Sequence, residues 1–325
     1  MMSDVVKVGL IGLGSMGRHH ARIIRQTNGM CLAAVADPAG DPYGVAGDLD
    51  VLPDVASLIE RQIDAAVVAV PTVHHEAAAL ELADAGIHTL VEKPIADSVN
   101  AGRRIAEAFE RASVIGAVGY VERSNAAIVQ LKHRIREGQL GRIYQISTSR
   151  QSPFPSRISD VGVVQDLATH DIDLTAWIAD SHYSSIHPEL AYKAGRKHED
   201  MLVASGRLAN GIIISHTVNW LAPFKDRKVT VIGERGALIA DTTTADLTYY
   251  ANASVDTAWE SMAAFRGPSE GDVTRYAFAK PEPLMVEHSN FLRAIRGEEA
   301  EIVSMKEAVE TLQVTERVLR YAAHG

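Results

Sequence analysis

The sequence predicts two domains: a doubly wound α/β domain, followed by an α+β domain whose open, mostly antiparallel sheet carries helices on one face. In residues 5–117, nearly continuous apolar runs alternate with helical patterns, which is typical of parallel strands buried on both faces. After residue 120 strand patterns dominate, and Asn210-Gly211 marks a hairpin. We therefore expect domains over residues 1–120 and 121–325, with the last helices able to pack back on the first domain.

Each element is placed by its apolar pattern. The first domain has an opening strand from residue 5, a helix at 18–26, and later strands at 32–36, 65–70, 88–91 and 114–117. The second domain has a helix at 126–137 and strands at 142–150, 201–208, 212–220, 228–232 and 237–241. Helices return at 284–296 and 305–323, whereas residues 251–280 show no regular pattern and are expected to be irregular.

The most informative stretch is KVGLIGLGSMG at residues 7–17, in which an apolar strand runs into three glycines. We expect Gly12 to allow a tight turn, Gly14 to let the backbone approach a pyrophosphate, and Gly17 to let the following helix pack closely on the strand. Asp37 ends the next strand about twenty residues on, where a carboxylate can bind ribose hydroxyls. This context favours a dinucleotide site over an ordinary glycine-rich turn.

The cofactor predicted for this site is NAD rather than NADP. The Asp37 carboxylate would repel a 2′-phosphate, and Pro38 and Ala39 supply no cation to reverse that preference. We expect Ser15 and Met16 of the glycine loop to contact the cofactor as well.

Composition excludes several classes of protein. The chain has 325 residues, 46% of them hydrophobic, and 41 acidic against 32 basic residues give a formal charge of -9. Since this charge repels a phosphate backbone, we expect no nucleic acid partner. Cys31 is the only cysteine, which rules out an intramolecular disulfide and fits a reducing compartment. The N-terminal apolar run is too short for a signal sequence or a membrane span, so we expect a cytoplasmic protein without a membrane partner.

The tripeptide Glu92-Lys93-Pro94 follows the predicted strand at 88–91. Open parallel sheets bind their ligands at the carboxyl ends of strands. A partly buried lysine at such a place can exchange a proton with a substrate hydroxyl, whereas the alternative is a solvated surface lysine.

Two pairs of adjacent histidines occur in the first domain. His74 and His75 belong to a loop, PTVHH, after the strand at 65–70, and His19 and His20 start the first helix. Because neighbouring side chains on a helix diverge, both pairs are interpreted as structural features rather than metal sites.

The segment DLATHDIDLTAW at 166–177 carries the second candidate for chemistry. With helical spacing, Asp166 and His170 fall on one face, where the carboxylate could orient a histidine general base. The alternative is a helix whose His170 and Asp173 face solvent. A metal site of His170, Asp171 and Asp173 is disfavoured, because adjacent residues do not share a helix face, and we predict no metal.

These blocks together resemble the Gfo/Idh/MocA family of glucose-fructose oxidoreductase, inositol dehydrogenase and the rhizopine catabolism protein. The matching segments, GLGSMG, ADP, PTVHH, EKP and DxxxHDID, occur in order over most of the chain. The resemblance implies hydride transfer between NAD(P) and a sugar or cyclitol. It implies that Lys93 contacts the reacting hydroxyl, that His170 is the acid/base and that Asp166 is its companion. Further cofactor contacts implied by the family motifs are Pro71, Thr72, His75, Glu92 and Lys93.

A narrower resemblance involves VGYVERSNAAI, the segment SPFPSRISDVGVV and the late EPL. These look like the branch that oxidises the 3-hydroxyl of UDP-N-acetylglucosamine, although Tyr120, Ser124 and Ala126 stand where that branch has His, Phe and Pro. We expect Tyr120 to contact substrate. Arg150 and Arg157 bracket the QSPFPS loop and are expected to grip a diphosphate, the alternative being solvated arginines.

The predicted function is an NAD-dependent dehydrogenase of a sugar secondary hydroxyl, with the 3-hydroxyl of a UDP-N-acetylhexosamine as the best guess. myo-Inositol or a free sugar is the alternative substrate. A non-catalytic NAD-binding regulator is the alternative of another class, although a regulator would not need both Lys93 and His170. The alternation of polar and apolar residues in the second sheet suits a face used for self-association, so we expect a homodimer or homotetramer.

Overall fold

The computed structural model describes residues 5–155, 161–253 and 270–322. The chain divides into two compact units. The first unit is Met1–Ser124 with Glu282–Gln313, and the second is Asn125–Pro281 with Val314–Gly325.

The first unit is built on a parallel sheet of six strands in the order β3-β2-β1-β4-β5-β6. The strands are β1 Val6–Ile11, β2 Met30–Ala36, β3 Val51–Leu52, β4 Ala65–Val68, β5 His88–Glu92 and β6 Gly116–Gly119. Helices α1 Gly17–Gln26, α2 Val55–Ile59, α3 His75–Asp84 and α4 Val99–Ala112 connect them. Only β3 was missed by the sequence reading, because two residues carry no periodic pattern.

Both faces of this sheet are covered by helices. On one face, α3, α4 and the first turns of α8 (Met305–Ala322) bury a core that includes Ala79, Ile105 and Val309. On the other face, α1 and α7 (Pro283–Ile295) bury a core that includes Ile24 and Phe291. Residues 282–313 therefore count with the first unit, although the sequence assigned them to the second domain, because a parallel sheet needs apolar helices on both sides.

The second unit is built on a sheet of eight strands in the order β14-β13-β12-β11-β7-β10-β9-β8. The strands are β7 Ile143–Pro153, β8 Tyr183–Ala191, β9 Met201–Leu208, β10 Ile213–Asn219, β11 Leu221–Gly233, β12 Gly236–Asp241, β13 Asp246–Asn252 and β14 Glu270–Arg275. All pairs are antiparallel except β7 with β10. The predicted fold class is confirmed.

The helices of the second unit supply its core. Helices α5 Ala126–Arg136 and α6 Thr169–Ile178 and the end of α8 pack their apolar side chains, among them Leu131, Ile172 and Val318, against alternate residues of the strands. The sequence reading missed β8 and β13, and its expectation that 251–280 is irregular was wrong at the end of β13 and at β14. Charged Glu270, Asp272 and Arg275 on that edge strand hid its alternation.

Of the helices in the three described ranges, none is long and apolar enough to cross a membrane.

Candidate active site

The glycine loop after β1 has the geometry of a phosphate-binding turn. Gly12 has φ +92°, and a Cβ there would lie 2.6 Å from the carbonyl carbon and oxygen of Ala69. A Cβ at Gly17 would lie 2.0 Å from the carbonyl oxygen of Gly12. Around Gly14, by contrast, no atom lies within 4 Å of a Cβ position. Two glycines are thus required by close backbone packing, and the third leaves an open cradle for a pyrophosphate.

The helix that follows this loop presents a free positive end. Helix α1 begins at Gly17, its N-cap residue Met16 makes no side-chain cap, and no acidic residue lies in its first turn. Ser15 and Met16 are exposed. A helix N-terminus without a neutralising carboxylate favours an anion, so this loop fits the diphosphate of a dinucleotide.

Asp37 lies beside the glycine loop. The backbone N–H of Leu13 donates to Oδ2 of Asp37 at 2.8 Å, and the N–H of Ala39 donates to Oδ1 at 2.8 Å. Each carboxylate oxygen keeps a further lone pair that can accept from a ribose hydroxyl. The position and charge of Asp37 therefore fit an NAD ribose and oppose a 2′-phosphate.

We expect NAD to bind roughly tenfold or more tightly than NADP because of this charge, and the double variant Asp37→Ser/Pro38→Arg to narrow or reverse the preference. Fluorescence titration with both cofactors measures the ratio. The control Asp84→Ser removes an exposed carboxylate at the end of α3 and should leave the ratio unchanged. A clear NADP preference in the unmodified protein would contradict the assignment.

A histidine joins the loops that follow β4 and β5. His75 is buried, with Nε2 at 2.9 Å from the carbonyl oxygen of Val70 and Nδ1 at 2.9 Å from that of Pro94. Burial lowers the pKa of His75, against the backbone hydrogen bonds that raise it. Both ring nitrogens thus contact backbone carbonyls, and the contact with Pro94 fixes the loop after Lys93. The cofactor role of His75 stays a prediction.

Lys93 directly follows β5 and is half-buried, whereas Glu92, the last residue of that strand, is buried. Pro71 precedes a 3₁₀ turn, Thr72–His74, that follows β4. From β1 the chain builds the sheet outward through β2 and β3 on one side, and then returns to add β4 on the other side of β1. Ligands of doubly wound sheets bind at such a switch point, outside the carboxyl ends of the strands. The glycine loop follows β1, and the Pro71 loop follows β4. The candidate cofactor residues of both loops therefore lie at this switch point.

His20 makes a contact that the sequence did not predict. It was interpreted as a structural feature of a helix start, and it is fully buried and hydrogen-bonds Glu92 across 72 residues of sequence. The signal was its spacing: His20 shares the buried side of α1 with Ile23 and Ile24. Tyr120, the predicted substrate contact, is 1% exposed and packs in the core of the first unit, so that role stays a prediction.

In the second unit, Asp166 and His170 do not share a regular α-helix. Residues Val164–Ala168 form a π-helical turn in which the N–H of Thr169 donates to the carbonyl of Val164, five residues back. The expectation that Asp166 and His170 share one face of an α-helix was therefore wrong. The wider π turn has more residues per turn, so residues four apart in it are not aligned as they are in an α-helix. Asp166 and His170 are both half-buried. A π turn of this kind is frequent at functional sites.

Glu199 holds the start of this turn and was missed by the sequence reading. Its Oε1 accepts from the N–H of Val164 at 2.9 Å, and its carbonyl accepts from Val163 at 3.0 Å. A Cβ at Gly162 would lie 2.0 Å from Glu199 Oε1, so a side chain there would displace this carboxylate from its hydrogen bond. The carboxylate thus satisfies a donor at the beginning of the helix that carries His170.

Arg150 is not a surface arginine. It is 3% exposed, and its Nε lies 3.2 and 3.1 Å from the carboxylate oxygens of Asp171, which is 1% exposed. Asp173 is buried too, so the alternative in which it faces solvent was wrong. Arg157, the other predicted diphosphate residue, lies outside the described residues. The ion pair fixes α6 on β7, and any part of Arg150 in substrate binding stays a prediction.

Comparison with known proteins covers both halves of the chain. Residues 6–120 match the model of the oxidoreductase family with an NAD-binding Rossmann fold, and residues 128–239 match that of the GFO/IDH/MocA C-terminal domain. The chain is 29% identical over 227 residues to inositol 2-dehydrogenase 4 of Saccharopolyspora erythraea, covering 66% of this chain and 67% of that protein.

Two further similar proteins are a dehydrogenase named for a nucleotide sugar and a dehydrogenase solved with one. UDP-N-acetylglucosamine 3-dehydrogenase of Acidithiobacillus ferrooxidans is 32% identical over 212 residues, or 64% of this chain and 65% of that protein. The match thus spans slightly less than two thirds of that enzyme. Its solved structure has a TM-score of 0.83 at 22% identity, with 96% of each chain covered. The WlbA dehydrogenase of Bordetella pertussis, solved with NADH and UDP-GlcNAcA, has a TM-score of 0.78 at 24% identity over 99% of this chain and 97% of that one.

The two family models together cover most of the chain, and the glycine loop, the free end of α1 and the Asp37 carboxylate fit the dinucleotide that the first of them binds. The chain therefore belongs to the Gfo/Idh/MocA family of oxidoreductases and carries an NAD-binding Rossmann domain.

Proposed function

We propose that this protein is a dehydrogenase that oxidises a secondary hydroxyl of a sugar or cyclitol with NAD. The observation that carries the proposal is the position of Lys93. It is half-buried at the carboxyl end of β5, with its loop fixed by the His75 ring, in the unit that holds the glycine loop. A fixed cation next to a nicotinamide site is suited to stabilise a developing alkoxide.

The reaction divides between two side chains. Lys93 hydrogen-bonds the reacting oxygen and stabilises its negative charge. His170 accepts the hydroxyl proton, and Asp166 orients the imidazole. When bound, NAD supplies the hydride acceptor, so the carbinol carbon loses a hydride, its oxygen loses a proton, and a ketone results.

The substrate that we propose is a UDP-N-acetylhexosamine oxidised at its 3-hydroxyl. Support comes from the segment around Tyr120, from the relative named as a UDP-N-acetylglucosamine 3-dehydrogenase, and from the WlbA structure solved with UDP-GlcNAcA. Because Arg150 is engaged with Asp171, the diphosphate grip would fall mainly to Arg157. The relative named as an inositol dehydrogenase makes myo-inositol or a free sugar the second candidate.

The proposal is tested by following NADH formation with a panel of UDP-N-acetylhexosamines, the same sugars without nucleotide, and cyclitols. We expect turnover of the nucleotide sugar and little turnover of the matched free sugar. A preference for inositol would contradict the proposed substrate but would agree with the proposed reaction. Tight NAD binding without turnover of any panel member would instead support the regulator.

We further propose that the outer face of the second sheet pairs with a second copy of this chain. The pairing of the strands places one row of outward residues across the sheet from β9 to β14. That row consists of Arg207, Ile213, Gln145, Ile232, Ala237, Tyr250 and Val273. Ile213, Ile232, Tyr250 and Val273 are exposed. An exposed apolar row on a sheet is typical of a self-association surface.

We expect the protein to be a homodimer or homotetramer, and the double variant Ile213→Asp/Ile232→Asp to have half the mass, because two carboxylates would be buried without partners in this face. Light scattering after size exclusion measures the mass, and NAD binding checks that the first unit is intact. Val129→Asp, at an exposed apolar position on α5, serves as the control and should not change the mass. An unchanged oligomer in the double variant would contradict this face.

A further inference from the structure

Four ionisable side chains lie buried together in the first unit, at the strand end that precedes Lys93. His20 comes from α1, Glu92 from β5, and Glu287 and His288 from α7, and none is more than 9% exposed. His20 Nε2 lies 2.8 Å from Glu92 Oε1, and His20 Nδ1 lies 2.8 Å from His288 Nε2. Burying this many ionisable groups is costly, so the arrangement needs an explanation beyond packing.

The hydrogen bonds define where the protons lie. Burial, together with the neighbouring His20, lowers the pKa of His288 well below its usual value, so this imidazole is neutral and has one N–H. Among the residues that the structure describes, no hydrogen-bond partner faces its Nδ1. Since buried N–H groups are rarely left without an acceptor, the proton of His288 lies on Nε2 and is donated to His20 Nδ1. His20 then carries its own proton on Nε2 and donates it to Glu92.

Glu92 is the one carboxylate that this cluster keeps charged. Burial opposes its ionisation, but the hydrogen bond from His20, the electrostatic attraction of His20 and then the charge of Lys93 hold the pKa of Glu92 below its usual value. Burial and the nearby Glu92 charge raise the pKa of Glu287 well above its usual value, so Glu287 is a neutral acid. His75 on α3 also lies within the field of Glu92. His20 donates directly to this charge, with its Nε2 at 2.8 Å from Glu92 Oε1.

The other oxygen of Glu92 turns back toward Lys93. The backbone N–H of Lys93 donates to Oε2 of Glu92 at 3.0 Å. A continuous chain of hydrogen bonds thus runs from His288 through His20 and Glu92 to the main chain of Lys93. His20 lies within the first turn of α1, so the helix that begins at the glycine loop is also the one that holds this strand end.

We propose that His20 and His288 are positioning residues for the oxidation. They hold Glu92 as an oriented carboxylate, and Glu92 in turn fixes the main chain from which the Lys93 side chain projects. His288 sets the tautomer of His20, and His20 supplies the donor that a buried carboxylate requires. The catalytic part of this inference rests on the proposed function of Lys93, whereas the hydrogen-bond chain can be measured without a substrate.

The test compares His20→Leu, which removes the donor, with His20→Gln, whose amide can still donate to Glu92. Carbon NMR of the Glu92 carboxyl follows its titration, and hydrogen exchange of the Lys93 amide reports the second hydrogen bond. In His20→Leu we expect Glu92 to take up its proton at a higher pH and the Lys93 amide to exchange roughly tenfold faster or more. His20→Gln should lie close to the unmodified protein in both measurements, and so should His19→Leu, the neighbouring control on α1.

Kinetics then connect the chain to the reaction. Loss of the carboxylate at low pH removes the support of Lys93, so we expect the acid limb of the kcat profile to move to higher pH in His20→Leu, with KM for NAD unchanged. An unchanged Glu92 titration in His20→Leu would overturn the hydrogen-bond chain. A shifted titration with an unchanged kcat profile would overturn the positioning role. Absence of turnover in the unmodified protein would refute the proposed function, while the NMR measurements would still decide whether His20 holds Glu92.

Discussion

Replacing Lys93 with alanine is expected to lower kcat by about a hundredfold or more, and His170→Ala is expected to do the same, because each removes a group that we propose acts on the reacting oxygen. Affinity for NAD should change little, since the glycine loop and Asp37 remain in place. Steady-state kinetics with the substrate found in the panel, together with NAD titration, separate the two effects.

The matched controls are Lys306→Ala and His182→Ala, which remove an exposed lysine and an exposed histidine elsewhere in the chain. Both should keep normal turnover. Near-normal turnover in Lys93→Ala or His170→Ala would show that the residue is part of the scaffold. An equal loss of NAD affinity in Lys93→Ala would instead indicate that the lysine serves mainly to bind the cofactor.

Arg150→Met is expected to destabilise the second unit by about 3–5 kcal/mol, because it removes one partner of a buried ion pair. The double variant Arg150→Met/Asp171→Leu should recover most of that loss, since both charges of the buried pair are then replaced by apolar side chains. Denaturant unfolding followed by tryptophan fluorescence measures the change. All three tryptophans lie between residues 125 and 281, so the signal reports on the second unit.

An exposed ion pair supplies the comparison for this variant. Arg320 and Glu316 pair at 2.8 Å on the surface of α8, and Arg320→Met should cost less than about 1 kcal/mol. If Arg150→Met costs no more than Arg320→Met, then the Arg150 and Asp171 pair does not stabilise the helix that carries His170. A double variant as unstable as Arg150→Met would mean that packing, rather than charge, is responsible.

The parallel sheet was predictable from the sequence because its strands are buried on both faces. Runs such as Ala65–Val68 are apolar at every position, and no surface requirement interrupts them. The second sheet was harder. Tyr183–Ala191 lies at one edge, contains Pro188 and carries exposed polar residues, so its strand pattern is weak.

Site residues were predictable where a local motif carries the chemistry. The glycine loop and Glu92-Lys93-Pro94 each occupy a few consecutive residues at a strand end, and their positions follow from the order of strand and helix. What the sequence could not show were partners that are distant along the chain. Glu199 accepts a hydrogen bond from the N–H of Val164, which lies 35 residues earlier, and His288 lies 268 residues after His20. Without such partners, the π turn at Asp166 has no local signal, and the spacing that places His20 on the buried side of α1 does not reveal what it contacts.

The measurement that tests the central claim most directly is transfer of label from substrate to cofactor. The protein is incubated with NAD and either UDP-N-acetylglucosamine deuterated at C3 or myo-inositol deuterated at the carbinol carbon, and the NADH is analysed by mass spectrometry and NMR. We predict deuterium at C4 of the nicotinamide from the nucleotide sugar, with loss of the transfer in Lys93→Ala and His170→Ala. Cofactor binding without label transfer from either compound, or from any other labelled sugar of the panel, would contradict the assignment of this protein as a sugar dehydrogenase.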